Sequence, residues 1–342
     1  MSQLSEAIER YLPLIESDLR TVLTPPPAAP PDFFGMLQYH MGWVDESGQA
    51  INNASGGKRV RPVLTLLVCE AVGGDPHPAR PAAAAVELIH NFSLLHDDIE
   101  DGSPTRRGRP TAWTIWGSAQ AINAGDTLFT LAFLAIPRLT PPGSDPALTN
   151  RMWPILGDIC LELTRGQHLD MSFETRDGVT TDEYLHMIRG KTAALLAGSA
   201  LLGAMAGEAD EPTLDHYRAF GESLGLAFQV IDDTLDIWGD PELTGKEPAV
   251  DIRQRKKTLP VLYGLARSDE LRALYAQEES FSEAEVERAV ALLGEIGART
   301  YAEDLARQYT RDTLDSLEAA QPDGPTGECL HQLVHTLLHR DH

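Results

Sequence analysis

Four carboxylates fall within five positions, at Asp97, Asp98, Glu100 and Asp101, and Arg106, Arg107 and Arg109 follow closely in the stretch LLHDDIEDGSPTRRGRPT (94–111). The D-D-x-x-D spacing of Asp97, Asp98 and Asp101 recurs at Asp232, Asp233 and Asp236, within AFQVIDDTLDIWGD (227–240). On a helix the first and last aspartates of each set share a face, with Cβ atoms roughly 5–6 Å apart. Like charges so placed repel, and more strongly where water is excluded. The flanks are apolar: Leu94, Leu95 and Ile99 in one set, Phe228, Val230, Ile231, Leu235 and Ile237 in the other. Something positive must offset the repulsion. Hard carboxylate oxygens without imidazole or thiolate favour Mg²⁺, which keeps waters and shares phosphate oxygens. A solvated acidic helix end would explain one such set. Two sets, one followed by R-R-x-R, point to facing aspartate-rich helices that hold several Mg²⁺ ions and, with the arginines, phosphate groups.

The elements that would carry these residues are helical. Apolar residues recur at three and four almost throughout and alternating β-branched runs are scarce, so the periodicity predicts an all-α fold. Thr180 with Glu183 and Ser282 with Glu285 read as capping boxes, and Pro212 as a first-turn proline. Helix breaks are expected at PPPAAPPD (25–32), GGDPHP (73–78), PPGSDP (141–146) and QPDGP (321–325). The first is a stiff connector after an N-terminal helix, together about residues 1–31. With no central linker, the 342 residues are expected to form a single domain, despite a length prior of about 150 residues per domain.

A net charge of −23 disfavours nucleic acid and anionic lipid, so an anionic ligand needs a local basic cluster such as the arginines after Asp101. Cys69, Cys160 and Cys329 lie far apart with no C-x-x-C, which argues against a disulfide framework or a zinc site and for a reducing, cytoplasmic setting. The acidic, amphipathic N-terminus is unlike a secretory signal. The longest uncharged run, 192–207, is short of the roughly 20 residues of a spanning helix, so a soluble protein with no transmembrane segment is expected.

In order along the chain, GGKRVRP (56–62), ELIHNFSLLHDDIED (87–101), RRGRPT (106–111), GQHLD (166–170), RGKTAALL (189–196), FQVIDDTLD (228–236) and Gly245-Lys246 with a following Asp and Lys resemble the trans-polyprenyl diphosphate synthase family. The resemblance implies an all-α bundle around a deep apolar cavity, a homodimer, and condensation of an allylic diphosphate with isopentenyl diphosphate assisted by Mg²⁺, three ions per active site. Position by position, it implies Mg²⁺ ligands at Asp97, Asp101 and Asp232, with Asp98 and Asp236 as supporting carboxylates and Asp233 beside them in the second motif. Arg106, Lys191, Lys246 and Lys256 would serve the allylic diphosphate; Lys58, Arg61, His90 and Arg107 would form a metal-free basic pocket for isopentenyl diphosphate. Thr192 and Gln229 would face the nascent cation, where oriented dipoles serve better than an anion that would trap it. No protein base is assigned, since the family's usual account gives proton removal to the released diphosphate.

Phe92, five residues before Asp97 and next to Ser93, resembles the floor residue of geranylgeranyl diphosphate synthases, with farnesyl diphosphate synthases as the nearer alternative. Ala249, preceded by Pro248, stands where the family usually has glycine, so the loop over the allylic diphosphate is expected to differ; Glu100 is expected to point away from metal. His331, His335 and His339 read as a polar stripe, His96 as structural, and Gly198, Gly203 and Gly207 as sites of close helix packing. A class I terpene cyclase needs no second, metal-free diphosphate pocket. A non-catalytic synthase subunit would have lost acidic motifs, and membrane-bound aromatic prenyltransferases need spanning helices.

Overall fold

The chain is seen in a computed structural model that describes residues 2–51, 57–240, 248–277 and 280–338. Its helices are α1 (Gln3–Val22), α2 (Pro31–His40), α3 (Val60–Ala71), α4 (Arg80–Glu100), α5 (Ala112–Trp116), α6 (Ser118–Leu139), α7 (Pro146–Thr175) and α8 (Thr181–Ile188). A five-residue π turn, Arg189–Ala193, leads into α9 (Ala194–Ala206), and α10 (Glu211–Trp238), α11 (Val250–Arg253), α12 (Leu259–Leu265), α13 (Asp269–Tyr275), α14 (Glu283–Glu295), α15 (Ala298–Ala319) and α16 (Gly324–Leu338) follow. All four expected breaks separate helices, and both capping boxes form: Thr180 Oγ1 accepts from the Glu183 N–H at 3.2 Å, and the Ser282 N–H donates to Glu285 at 2.8 Å. The helical periodicity gives no sign of the hairpin Thr105–Arg106/Arg109–Pro110, whose strands are two residues each.

Two compact units divide the chain. The first comprises residues 1–160, 198–214 and 321–330. In it α4 packs along α6, and Leu88, Ile89, Leu128 and Ile136 are sealed from water. Helix α6 is, by length and composition alone, apolar enough to cross a membrane, and 44% of its most apolar window is buried in the protein. The small residues work as close-packing points. An added Cβ would stand 2.3 Å from the Thr65 carbonyl at Gly203, 2.2 Å from Val72 Cγ2 at Gly207 and 2.1 Å from Ile159 Cδ1 at Gly198.

The second unit comprises residues 161–197, 215–320 and 331–342. Phe173, Tyr184, Met187, Leu226, Val230, Leu259 and Ala302 share one core. Gly166 of α7 and Gly190 of the π turn cross with almost no separation: a Cβ on Gly166 would stand 2.2 Å from the Lys191 nitrogen, and one on Gly190 2.6 Å from the Glu162 carbonyl. That crossing seats Lys191 beside Asp170.

Replacing Gly203 by Ala forces a methyl group into backbone, and overpacking of this kind costs about 1–3 kcal/mol. Gly203→Ala is expected to lower the midpoint of thermal or urea unfolding accordingly.

Candidate active site

In the first unit the acidic motif closes α4 and the hairpin folds back onto it. Arg106 Nε donates to Asp98 at 2.7 Å, and its Nη2 lies 3.4 Å from Asp97. Asp98 is buried, with Oδ2 lacking a hydrogen-bond partner among the described residues. Burial raises its carboxyl to about 6, against the pull of Arg106. Asp101 and Glu100 are exposed. Arg109 is an anchor: it donates to the carbonyls of Tyr39 (3.2 Å) and Val44 (2.8 Å) and stacks over the Tyr39 ring. Pinned this way, the hairpin presents Arg107 in the left-handed conformation (φ 53°), its guanidinium so close to Gly57 that a Cβ there would stand 2.8 Å from Nη2.

Behind it lies a cluster of positive groups short of counter-charge. Burial holds Arg61 below the usual guanidinium range, with Glu87 opposing the shift and Arg107 adding to it, and the Arg61 Nε has no hydrogen-bond partner among the described residues. Burial, then the charges of Arg61 and Arg107, push His90 well below the usual imidazole range. Glu87 is already committed to Arg59 (2.7 Å), which Glu16 also holds (2.8 Å) in its own left-handed conformation. Lys58, just before Arg59, is exposed.

In the second unit a relay of hydrogen bonds orients the polar groups. Thr192 donates to Gln229 Oε1 at 2.9 Å, and Gln229 Nε2 donates to Asp233 Oδ1 at 3.0 Å. Asp233 Oδ2 accepts from the Tyr184 hydroxyl and, at 3.2 Å, from the Leu259 N–H. The amide of Gln229 is therefore fixed, and the Thr192 hydroxyl hydrogen is spoken for, which leaves its lone pairs directed elsewhere. Burial raises Asp233 to about 7, against the hydrogen bonds of Tyr184 and Gln229. In both motifs the middle aspartate is the buried one, tied to protein groups, while Asp97, Asp101, Asp232 and Asp236 keep more surface.

Lys191 pairs with Asp170, the last residue of GQHLD. Asp236 receives the Asp251 N–H at 3.0 Å on its side chain and the Ala249 N–H at 2.6 Å on its carbonyl. Ala249 is left-handed (φ 56°), which is why glycine suits this position better. Lys256 is partly buried in the turn that follows; Lys246 and His339 lie outside the described residues. Phe92 is buried, edge-on to Phe129 (5.1 Å between ring centres) and His96 (5.9 Å). His96 packs over Gly125, a structural place.

Tyr184, Asp170, Glu87 and His40 are the site residues that sequence reasoning missed. Asp170 and Glu87 stood within quoted motifs, where no role was given to them; Tyr184 and His40 carry no local pattern. Among the described residues no three His, Cys, Asp or Glu side chains gather into a ready cage. The carboxylate-only donor set and the Asp98 oxygen without a partner among the described residues fit Mg²⁺, which completes its shell with water and substrate phosphate.

Residues 43–293 match the Polyprenyl synthetase family. The chain is 41% identical over 312 residues to the geranylgeranyl diphosphate synthase of Mycobacterium tuberculosis H37Rv, covering 90% of this chain and 86% of that one. It is 40% identical over 313 residues to the (2E,6E)-farnesyl diphosphate synthase of the same organism, covering 89% and 85%. A solved polyprenyl synthetase from Streptomyces coelicolor A3(2) superposes with a TM-score of 0.87 at 38% identity, covering 98% of this chain and 99% of that one. The chain belongs to the polyprenyl synthetase family. It is a prenyltransferase that condenses prenyl diphosphate chains.

The end of α2 offers a pH test. Burial, reinforced by Arg107, Arg106 and Arg59, pushes His40 down to about 3. Between that value and the unfolded value of about 6.5 the unfolded chain binds the extra proton, so this stability is complete above about 6.5 and is lost as pH falls towards about 3. His40→Gln is expected to flatten that acid limb in melting temperature against pH.

Proposed function

We propose that the protein joins isopentenyl diphosphate head-to-tail (1′-4) to an allylic diphosphate and releases a trans short-chain prenyl diphosphate, geranylgeranyl diphosphate before farnesyl diphosphate. The observation that carries the reading is the basic cluster around Arg61, whose buried Nε lacks a partner among the described residues and whose neighbouring carboxylate, Glu87, is engaged by Arg59. A terpene cyclase has no use for it. Lys58, Arg61, His90 and Arg107 bind isopentenyl diphosphate without metal, and Arg106, Lys191, Lys246 and Lys256 serve the allylic diphosphate.

Asp97, Asp101 and Asp232 would hold Mg²⁺, with Asp98 and Asp236 in support and three ions in all. Once bound, the metal supplies Lewis-acid stabilisation of the charge growing on the leaving diphosphate. Asp233 orients Gln229, and through it Thr192, whose oxygen lone pairs offer a dipole to the cation without a charge that would trap it. The proton lost at the end goes to the released diphosphate.

The two M. tuberculosis relatives carry different product names, so the choice between products rests on Phe92. Its ring, backed by Phe129, is the proposed floor for the growing chain. A homodimer is supported by the exposed Ile122, Phe129, Leu134 and Trp153 of α6 and α7, apolar area that a second copy would cover. A cytoplasmic setting accords with three buried cysteines that form no disulfide among the described residues.

Purified protein incubated with radiolabelled isopentenyl diphosphate and each allylic primer is expected to give Mg²⁺-dependent elongation that EDTA abolishes; no elongation from any primer would overturn the reading. Phe92→Ala is expected to lengthen the products by at least one isoprene unit on chromatographic sizing. An unchanged distribution would remove Phe92 as the floor.

A further inference from the structure

His40 ends α2 and lines the same pocket as Arg106, Arg107, Arg109, Asp98 and Thr111. Its Nε2 is covered and has no hydrogen-bond partner among the described residues. The ring does hydrogen-bond the backbone of Asn91, which leaves that bond to the other nitrogen. A buried polar atom without a partner costs free energy, and a site that keeps one is short of a group that will supply it.

The surroundings say what that group is. Arg106 and Arg107 of the hairpin line the pocket with His40, the charge of Arg59 before α3 also acts on the ring, and α4 adds His90 and, in the pocket lining, Asp98. Asp98 is the carboxylate that lines this pocket, and Arg106 already holds it; Glu87 and Glu16, behind it, are held by Arg59. With one ring nitrogen given to the Asn91 backbone, Nε2 carries a hydrogen only when the imidazole is protonated. Surrounding cations oppose that in the free protein, and an entering polyanion removes the opposition.

We propose that His40 is a further diphosphate-binding residue of the basic pocket: a phosphate oxygen accepts a hydrogen bond from Nε2, which takes its proton from solvent as the anion enters. The anion's identity as isopentenyl diphosphate rests on the synthase reading; the contact itself does not. Bond formation is confined to one N–H, and the charge gained on the ring is offset by the bound phosphate.

The test is calorimetric titration of inorganic pyrophosphate into the full chain in EDTA, in two buffers of different ionisation enthalpy, for wild type, His40→Ala and His40→Gln. The glutamine amide reaches the Nε2 position as a donor that needs no proton. His40→Ala is expected to bind at least about 10-fold more weakly, the scale of one hydrogen bond to a charged group. His40→Gln is expected to recover most of that loss while taking up less proton than wild type at the same pH, a difference from which the pyrophosphate's own protons cancel. Alanine binding within about twofold of wild type, or glutamine binding with undiminished proton uptake, would overturn the inference. Should either variant fail to fold by circular dichroism, the ¹⁵N shifts of the wild-type His40 ring decide: they move to imidazolium values with pyrophosphate, or the inference falls. Protein that binds pyrophosphate through His40 yet elongates no primer would sink the synthase reading alone.

Discussion

Positive charge withheld from water, with too little carboxylate to balance it, is the constraint around which the first unit is built. Arg59, Arg61, Arg106 and Arg107 converge with two imidazoles, and the carboxylates within reach are already engaged: Glu87 by Arg59 and Asn91, Glu16 by Arg59 and Trp43, Asp98 chiefly by Arg106. A guanidinium taken from water without a full set of partners costs several kcal/mol. The fold bears this through rigid anchoring, with Arg109 clamped onto backbone carbonyls and Gly57 leaving room for Arg107. Such a cluster is preorganised for an anion, because the groups need not be gathered when it arrives.

The acidic motifs solve the opposite problem by division of labour. Each D-D-x-x-D turns its middle residue inwards, and the protein neutralises it locally, with Arg106 for Asp98 and with three donors for Asp233. The outer aspartates of each set keep more surface. Three carboxylates on adjacent turns thus never have to share one low-dielectric space, and repulsion is confined to the pairs that a metal would join. The π turn at Arg189–Ala193 belongs to the same economy of space, since the Gly166–Gly190 crossing next to it sets Lys191 against Asp170.

Much of this was legible in the residues themselves. Helix boundaries followed Pro and Gly punctuation, Thr180 and Ser282 capped as their spacing implied, and the small residues of α9 marked close packing. The motif positions could be read from the chain because their spacing is local. What local spacing cannot show is partnership over long separations. Tyr184 meets Asp233 across 49 positions, and nothing near Tyr184 in sequence hints at a carboxylate. His40 sits before a basic motif whose arginines face it only after folding, and the hairpin's two-residue strands are too short for any periodicity to register. Ala249 shows the reverse case: an odd residue in a motif gained its explanation from a backbone angle.

The division between a metal-free and a metal-bound diphosphate is the claim on which the chemistry turns. A crystal structure of the protein with Mg²⁺, isopentenyl diphosphate and a non-ionising allylic thiodiphosphate tests it most directly. The expected result is isopentenyl diphosphate on Lys58, Arg61, His90 and Arg107 with no metal touching it, and the allylic analogue held through Mg²⁺ to Asp97, Asp101 and Asp232. Metal coordinated to the isopentenyl diphosphate, or an allylic diphosphate bound with those aspartates unengaged, would contradict it.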